Sequence, residues 1–200
     1  ILKENASISP IFLNFSAQTS SLETQLAIES KLNKKFRTVF GARPGEKIVI
    51  FIDDINMPAL EEYGAQPPIE LLRQYMDYEG FYDRQKLFMK TIEDTVLLCA
   101  GAPPGGGRNV LTPRFTRHFN ILCVAKQSDK TLMSIFGQIL KGFLQAWSFS
   151  ENVKRTADGI VEGTVEIFTK ISRDLLPTPT RFHYTFNLRD ISKVFQGILM

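Results

Sequence analysis

Asp53 and Asp54 stand side by side at the end of an apolar run in KIVIFIDDIN (47–56), immediately before a polar turn. Adjacent carboxylates leaving a buried strand suit metal-dependent phosphoryl chemistry. One oxygen ligand holds a hard Mg2+ ion, and the second carboxylate polarises an attacking water. The uninterrupted Lys47–Ile52 run suits a parallel sheet covered on both faces, whose ligand crevice lies beyond the strand C-termini. The same residues also suit an ordinary turn, because Asp and Asn are common turn formers. Few other residues compete for a chemical role. His118 and His183 are isolated, and Cys99 and Cys123 fall in apolar runs without metal-binding spacing, which predicts buried strand thiols in a reducing compartment.

The elements around the two acids follow from hydrophobic spacing. SPIFLNFSA (9–17) reads as a buried strand, and Ser20 with Glu23 forms a capping-box spacing ahead of Leu22, Leu26, Leu32 and Phe36 at helical intervals. That reading makes the basic stretch at 31–37 a solvated helix face and the segment at 41–47 a turn. Pro67 or Pro68 starts a helix with Ile69, Leu72 and Tyr75 or Met76 on one side, ended by Gly80. Residues 81–90 alternate as a small hairpin, TVLLCAG (95–101) is a third buried strand, and TPRFTRHF (112–119) is a short helix before a fourth strand at 120–125. Strands alternating with helices predict an α/β layer architecture. After residue 128 three helical patterns follow, around Leu132–Trp147, around Val161–Leu175, and from Asn187, with PTPT (177–180) breaking the chain. The expected domains are 1–127, an α/β domain, and 128–200, an all-helical one.

Composition sets limits on function. The 200 residues are 44% hydrophobic with 16 Phe, enough for a substantial core, and the net charge is only +3. Such a balance gives no argument for nucleic-acid binding without a concentrated basic patch. No apolar stretch approaches bilayer length, so no membrane partner is expected.

The order of elements and several long stretches together carry a resemblance. FSAQTS, FIDDINMPALEEYGAQPPIELLRQ, GAPPGGGRN, TPRFTRHFN and PTRFHYTFNLRDIS closely resemble the dynein heavy chains, most of all the third AAA+ module of the axonemal ones. The resemblance runs over nearly the entire chain and implies a P-loop-type parallel sheet, truncated at its N-terminus, followed by a helical lid. It implies ATP or ADP with Mg2+ as cofactors, adjacent modules of the same heavy chain as partners, and other dynein chains and microtubules as partners of the whole protein. It also implies a place in the cytoskeleton of a cilium or flagellum.

Residue by residue, the resemblance puts Asp53 at the Mg2+-binding position. Asp54 falls where hydrolysing modules carry Glu; the shorter side chain withdraws the carboxylate by about 1.5 Å, a misplacement able to cost roughly a hundredfold in rate. Ala102 aligns with a polar sensor but offers no donor, leaving a backbone N–H or Asn109 as substitutes. Arg114 is the expected finger toward the preceding module's nucleotide, with Arg117 as its support or substitute; both also suit purely local ion pairing. Arg189 resembles the lid arginine that reaches the module's own phosphates, and Asp190 is expected to pair with a nearby base. Gly105, Gly106 and Gly107 lack the GK ending of a phosphate loop and read as a flexible connection.

No GxxxxGK followed by Ser or Thr occurs in the sequence. The family's order places that loop upstream of Ile1, with Ile1–Ser7 as the tail of the following helix. Three readings stand: a regulatory nucleotide module with slow hydrolysis, a nucleotide-inert spacer between modules, and a non-motor AAA+ remodelling ATPase.

Overall fold

The computed structural model describes residues 7–105, 107–147, 149–176 and 184–200. Gly106, the PTPT segment, His183 and residues 1–6 of the expected helix tail lie outside the described residues. The chain divides into two compact units, Ile1–Leu122 and Cys123–Met200.

The first unit is built on three parallel strands: β1 (Ile8–Asn14), β4 (Lys47–Asp53) and β7 (Thr95–Cys99), in the order β1-β4-β7. β4 is the central strand because its apolar residues fall on both faces, as a doubly covered strand requires. Ile11 and Leu13, Ile50 and Ile52, and Leu97 and Cys99 line one face in register and join the core. Each fully buried isoleucine there stabilises the fold by about 1.5–3 kcal/mol. Against this face pack α1 (Ser21–Glu29) and α2 (Pro67–Tyr78), the latter through Ile69, Leu72 and Tyr75. The opposite face leaves Phe12, Val96 and Leu98 exposed.

Each crossover between the parallel strands also contributes a pair of short strands. β2 (Asn33–Phe36) and β3 (Val39–Gly41) come from the first crossover, and β5 (Gly80–Tyr82) and β6 (Met89–Glu93) from the second. They join as a second sheet, β2-β3-β6-β5, in which β5 and β6 form the expected antiparallel hairpin. The basic stretch at 31–37 is therefore largely a strand, not a helix face, although β2 is solvated throughout. Gln25 helps to fasten the second sheet to α1: its Nε2 donates to Glu29 and to the Tyr82 carbonyl, both at 2.8 Å, while Arg84 Nε donates to its Oε1. Lys90 bridges Glu29 and Asp83.

Several sequence expectations need correction. The Ser20–Glu23 capping box is present, but the helix buries Thr24, Gln25 and Ile28 and leaves Leu22 and Leu26 exposed. α2 is ended by Glu79 in the left-handed region (φ 55°), and Gly80 instead begins β5. There a β-carbon would overlap the Lys90 carbonyl oxygen. β7 is a half-exposed edge strand, and its outer edge is unpaired among the described residues. The expected strand at 120–125 is absent: among the described residues no strand pairs with this run, and Ile121, Leu122, Cys123 and Val124 are exposed. Cys99, by contrast, is inside, and burial pushes its thiol up to about 12.

The second unit is helical: α4 (Asp129–Ala146), the short α5 (Glu151–Arg155), α6 (Ala157–Asp174) and α7 (Leu188–Ile198), with α3 (Pro113–Thr116) belonging to the first unit. Leu132, Phe136, Leu140 and Leu144 of α4 meet Val161 and Val165 of α6 and Ile191 and Phe195 of α7. Phe136 and Phe195 stack at 4.5 Å between centroids. Among the described residues no helix is long and apolar enough to cross a membrane.

Two glycines of opposite constraint test this packing. Gly80→Ala forces the Lys90 carbonyl aside and lowers stability by about 1–3 kcal/mol, the usual range for overpacking. Gly142→Ala, inside α4 with open space around a built β-carbon, raises stability by about 0.5–1 kcal/mol. Urea unfolding followed by far-UV dichroism for the first and Trp147 fluorescence for the second measures both; equal signs contradict the packing described.

Candidate functional site

The two acids are held by hydrogen bonds that continue past the end of β4. The Phe15 N–H donates to the Asp53 carbonyl (3.0 Å), the Ala100 N–H to that of Ile52 (2.8 Å), and the Ile55 N–H to that of Ala100 (3.0 Å). Both neighbouring strands thus clamp the chain where it turns. Asp54 takes the left-handed region there (φ 53°), and its N–H donates to Asp53 Oδ1 at 3.0 Å. The Met57 N–H closes the turn on the Asp54 carbonyl at 2.9 Å. Asp tolerates this backbone better than most residues, so the shorter acid at 54 has a conformational cause alongside any chemical one.

Asp53 is half-buried, and Asn14 stands opposite it in register at the carboxyl end of β1. Among the described residues no group of three His, Cys, Asp or Glu is placed to hold a metal. A single strand-end carboxylate fits Mg2+, which keeps several waters and relies on substrate phosphates for the remaining ligands. A dedicated all-protein metal cage does not fit these residues.

Beyond β7 the chain returns to the acids. Asn56, buried behind the turn, donates from Nδ2 to the Ala102 carbonyl at 2.7 Å, while its Oδ1 has no partner among the described residues. Asn109 is pinned through backbone and side chain: its N–H donates to the Asn56 carbonyl (2.9 Å) and its Nδ2 to that of Pro58 (2.8 Å). The Gly105 and Arg108 main chains exchange hydrogen bonds at 3.0 and 3.1 Å. Gly105 and Gly107 take φ 120° and 85°, where glycine is favoured, while Gly106 of the expected flexible connection lies outside the described residues. The turn sets Arg108 Nη2 3.5 Å from Asp54 Oδ1. Sequence reasoning passed over Arg108; 54 residues separate it from its partner, and no local spacing signals the contact.

The two α3-region arginines differ in their surroundings. Arg117 donates to Asp77 Oδ1 at 2.6 Å, beside His118 Nε2 at 3.0 Å, and Arg73 holds the other oxygen at 3.0 Å. Burial raises the Asp77 pKa, but the hydrogen bond from Arg117 and the charges of Arg117, His118 and Arg73 outweigh it and hold the carboxyl below its ordinary value. Arg114 is exposed and makes no ion pair or hydrogen bond among the described residues. The structure thus brings Asp53, Asp54 and Asn109 to one end of the sheet, and ties Arg117 to α2.

Arg189 lies in the second unit, at the start of α7. Its N–H donates to Asn187 Oδ1 at 2.8 Å, and its side chain has no partner among the described residues. Asp190, expected to pair with a base, instead accepts from the Asn187 N–H at 2.9 Å and completes the helix cap. Tyr184 and Phe186 stack on one another at 6.3 Å.

Comparison with known proteins gives concordant matches. Residues 2–127 match the family described as the P-loop containing dynein motor region, and residues 160–200 match the AAA+ lid domain. Dynein axonemal heavy chain 6 of Homo sapiens is 58% identical over 198 residues, covering 99% of this chain and 5% of the relative. Dynein axonemal heavy chain 1 of Rattus norvegicus is 50% identical over 200 residues, covering 94% and 4%. Dynein axonemal heavy chain 12 of Mus musculus is 49% identical over 191 residues, covering 96% and 6%. The chain therefore spans about one-twentieth of the length of these curated relatives.

The contrast between the arginines yields a prediction. Arg117→Ala lowers the melting temperature of the first unit and Arg114→Ala leaves it unchanged. Because the folded Asp77 pKa is lowered, its contribution is present above the unfolded carboxylate value and is lost as pH falls through the folded one. The Arg117→Ala deficit accordingly shrinks in acid. Melting curves from pH 7 down to pH 2–3 measure it, and a deficit that grows on acidification contradicts the assignment.

Proposed function

Because the chain belongs to the family of P-loop-containing dynein motor regions, and carries part of an AAA+ lid, we propose that it is a segment of one nucleotide-responsive module in an axonemal motor ring, the third of that ring. The clamp on Asp53 and Asp54 at the carboxyl end of a parallel sheet carries this reading, since ligand crevices of such sheets open there. Asp53 holds Mg2+, which when bound neutralises charge developing on transferred phosphate. Asp54 polarises the attacking water from a shortened reach, so hydrolysis is slow and nucleotide state acts mainly as regulation. Asn109 positions the turn after β7 behind the nucleotide's terminal phosphate. The relatives are named as axonemal dynein heavy chains, and the reading carries to this chain their location and their microtubule and dynein-chain partners.

Two features of the first unit support completion of the site by chain outside this sequence. Among the described residues the outer edge of β7 is unpaired, and Ile121 and Leu122 are exposed. A further parallel strand beside β7, leading into a phosphate loop, covers part of this surface and supplies the backbone N–H groups that a triphosphate needs.

Arg114, unpaired and exposed, acts as the finger on the preceding module's nucleotide, with Arg117 holding α3 in place through Asp77 and serving as its substitute. Arg189, unpaired at the start of α7, reads this module's own nucleotide from the lid. The second reading, a nucleotide-inert spacer, draws on Asp54 and Ala102: a left-handed backbone explains the Asp, and a methyl group reads no phosphate. A non-motor remodelling ATPase finds no support in the matched families.

Calorimetric titration separates the readings. A longer chain that includes an upstream phosphate loop binds Mg-ATP, and the 200 residues alone do not bind it measurably at millimolar nucleotide. Tight binding by the short chain contradicts the divided site, and no binding by the longer one favours the spacer. The arginines are told apart in an intact ring with site-resolved probes. Arg114→Ala impairs hydrolysis at the preceding module by about a thousandfold, the lower end of a finger's usual worth, whereas Arg189→Ala alters this module's own lid response. Equal effects of the two at both sites exclude the directional assignment.

A further inference from the structure

We propose that Arg108 is the residue that distinguishes a nucleoside triphosphate from a diphosphate in this module, supplying the donor that Ala102 lacks and resting on Asp54 when no terminal phosphate is present. The inference builds on the nucleotide reading above. Three observations point to it independently. Arg108 Nη2 lies 3.5 Å from Asp54 Oδ1, at the carboxyl end of the sheet. Its Nε is shielded from solvent yet has no hydrogen-bond partner among the described residues. Its backbone is fixed by the paired hydrogen bonds with Gly105 and by the Asn109 contacts to Asn56 and Pro58.

Donor supply decides between the neighbouring candidates. Asn109 already donates from Nδ2 to Pro58, and Asn56 from Nδ2 to Ala102. Arg108 alone in this turn presents a guanidinium with an unused buried N–H. A buried donor without a partner is costly, and an anionic oxygen satisfies it best. The planar fork also suits a phosphate more than a point charge would.

The resting contact is weak by its geometry. The two side chains are 34% and 44% exposed, and 3.5 Å is the outer limit of a hydrogen bond. Exposed pairs of this kind contribute little, so Arg108 leaves Asp54 readily for a more highly charged acceptor. In doing so it frees the Asp54 carboxylate to accept a hydrogen bond from water. One side chain thereby links recognition of the terminal phosphate to exposure of the water-polarising acid.

The test uses the longer chain carrying the phosphate loop, with Mg-ADP and a slowly hydrolysed Mg-ATP analogue as probes. Arg108→Gln is expected to weaken analogue binding by about ten- to a hundredfold while ADP binding changes less than about threefold. Arg108→Lys restores part of the preference, because charge returns without the fork. Should Arg108→Gln fail to fold, Arg108→Lys serves as the second variant: it keeps the charge without the fork and must show a smaller preference for the triphosphate than the unaltered chain. Parallel loss of ADP and analogue binding in Arg108→Gln, no loss of either, or an undiminished preference in Arg108→Lys overturns the role of Arg108 while leaving the nucleotide reading intact. Absence of all nucleotide binding in the unaltered longer chain overturns both.

Discussion

The geometry at the acids depends on one constraint: β4 is hydrogen-bonded on both sides up to its last residue, and on the β7 side past it. Phe15, just after β1, and Ala100, just after β7, continue the ladder to the turn. Without them, Asp54 would have no reason to hold a left-handed backbone, and the two carboxylates would not keep a fixed relation. The core supports the same constraint from below. Ile48, Ile50 and Ile52 are essentially fully buried, and their alternation fixes the strand's register, since a one-residue slip would expose all three.

The second sheet serves the first indirectly. Its strands come in pairs from the two crossovers that join the parallel strands, and Lys90, Gln25 and Arg84 tie it to α1. Lys35 adds an ion pair to Asp94, just before β7 begins. These polar links fasten both crossovers to each other, so β1 and β7 approach β4 as a single body. In the helical unit the Asn187–Asp190 cap fixes the start of α7 and with it the backbone position of Arg189.

Much of this was legible in the sequence where the signal is local. The apolar run before Asp53, the Ser20–Glu23 cap and the proline start of α2 depend on neighbours within a few residues, and each appears in the structure. Misreadings came where distant partners decide. Gln25 is buried because Tyr82 and Arg84, nearly sixty residues away, satisfy its amide, which turns α1 onto a face that its leucines do not mark. The 33–36 strand exists because β3 pairs with it, and β3 in turn with β6. The apolar run at 120–125 shows the converse: strand-like residues form no strand where no neighbouring strand pairs with them. Of the candidate site, the acids were evident from type and spacing, whereas the Arg108 contact and the Arg117–Asp77 pair required the fold.

Magnesium dependence tests the central claim, that Asp53 is the metal-holding acid of a nucleotide site, most directly. In a longer chain carrying the phosphate loop, ATP affinity is measured with and without Mg2+ for the unaltered protein and for Asp53→Asn. The account predicts that Mg2+ strengthens binding in the former and loses most of that effect in the latter, with metal-free affinity retained. An undiminished Mg2+ effect in Asp53→Asn would contradict it.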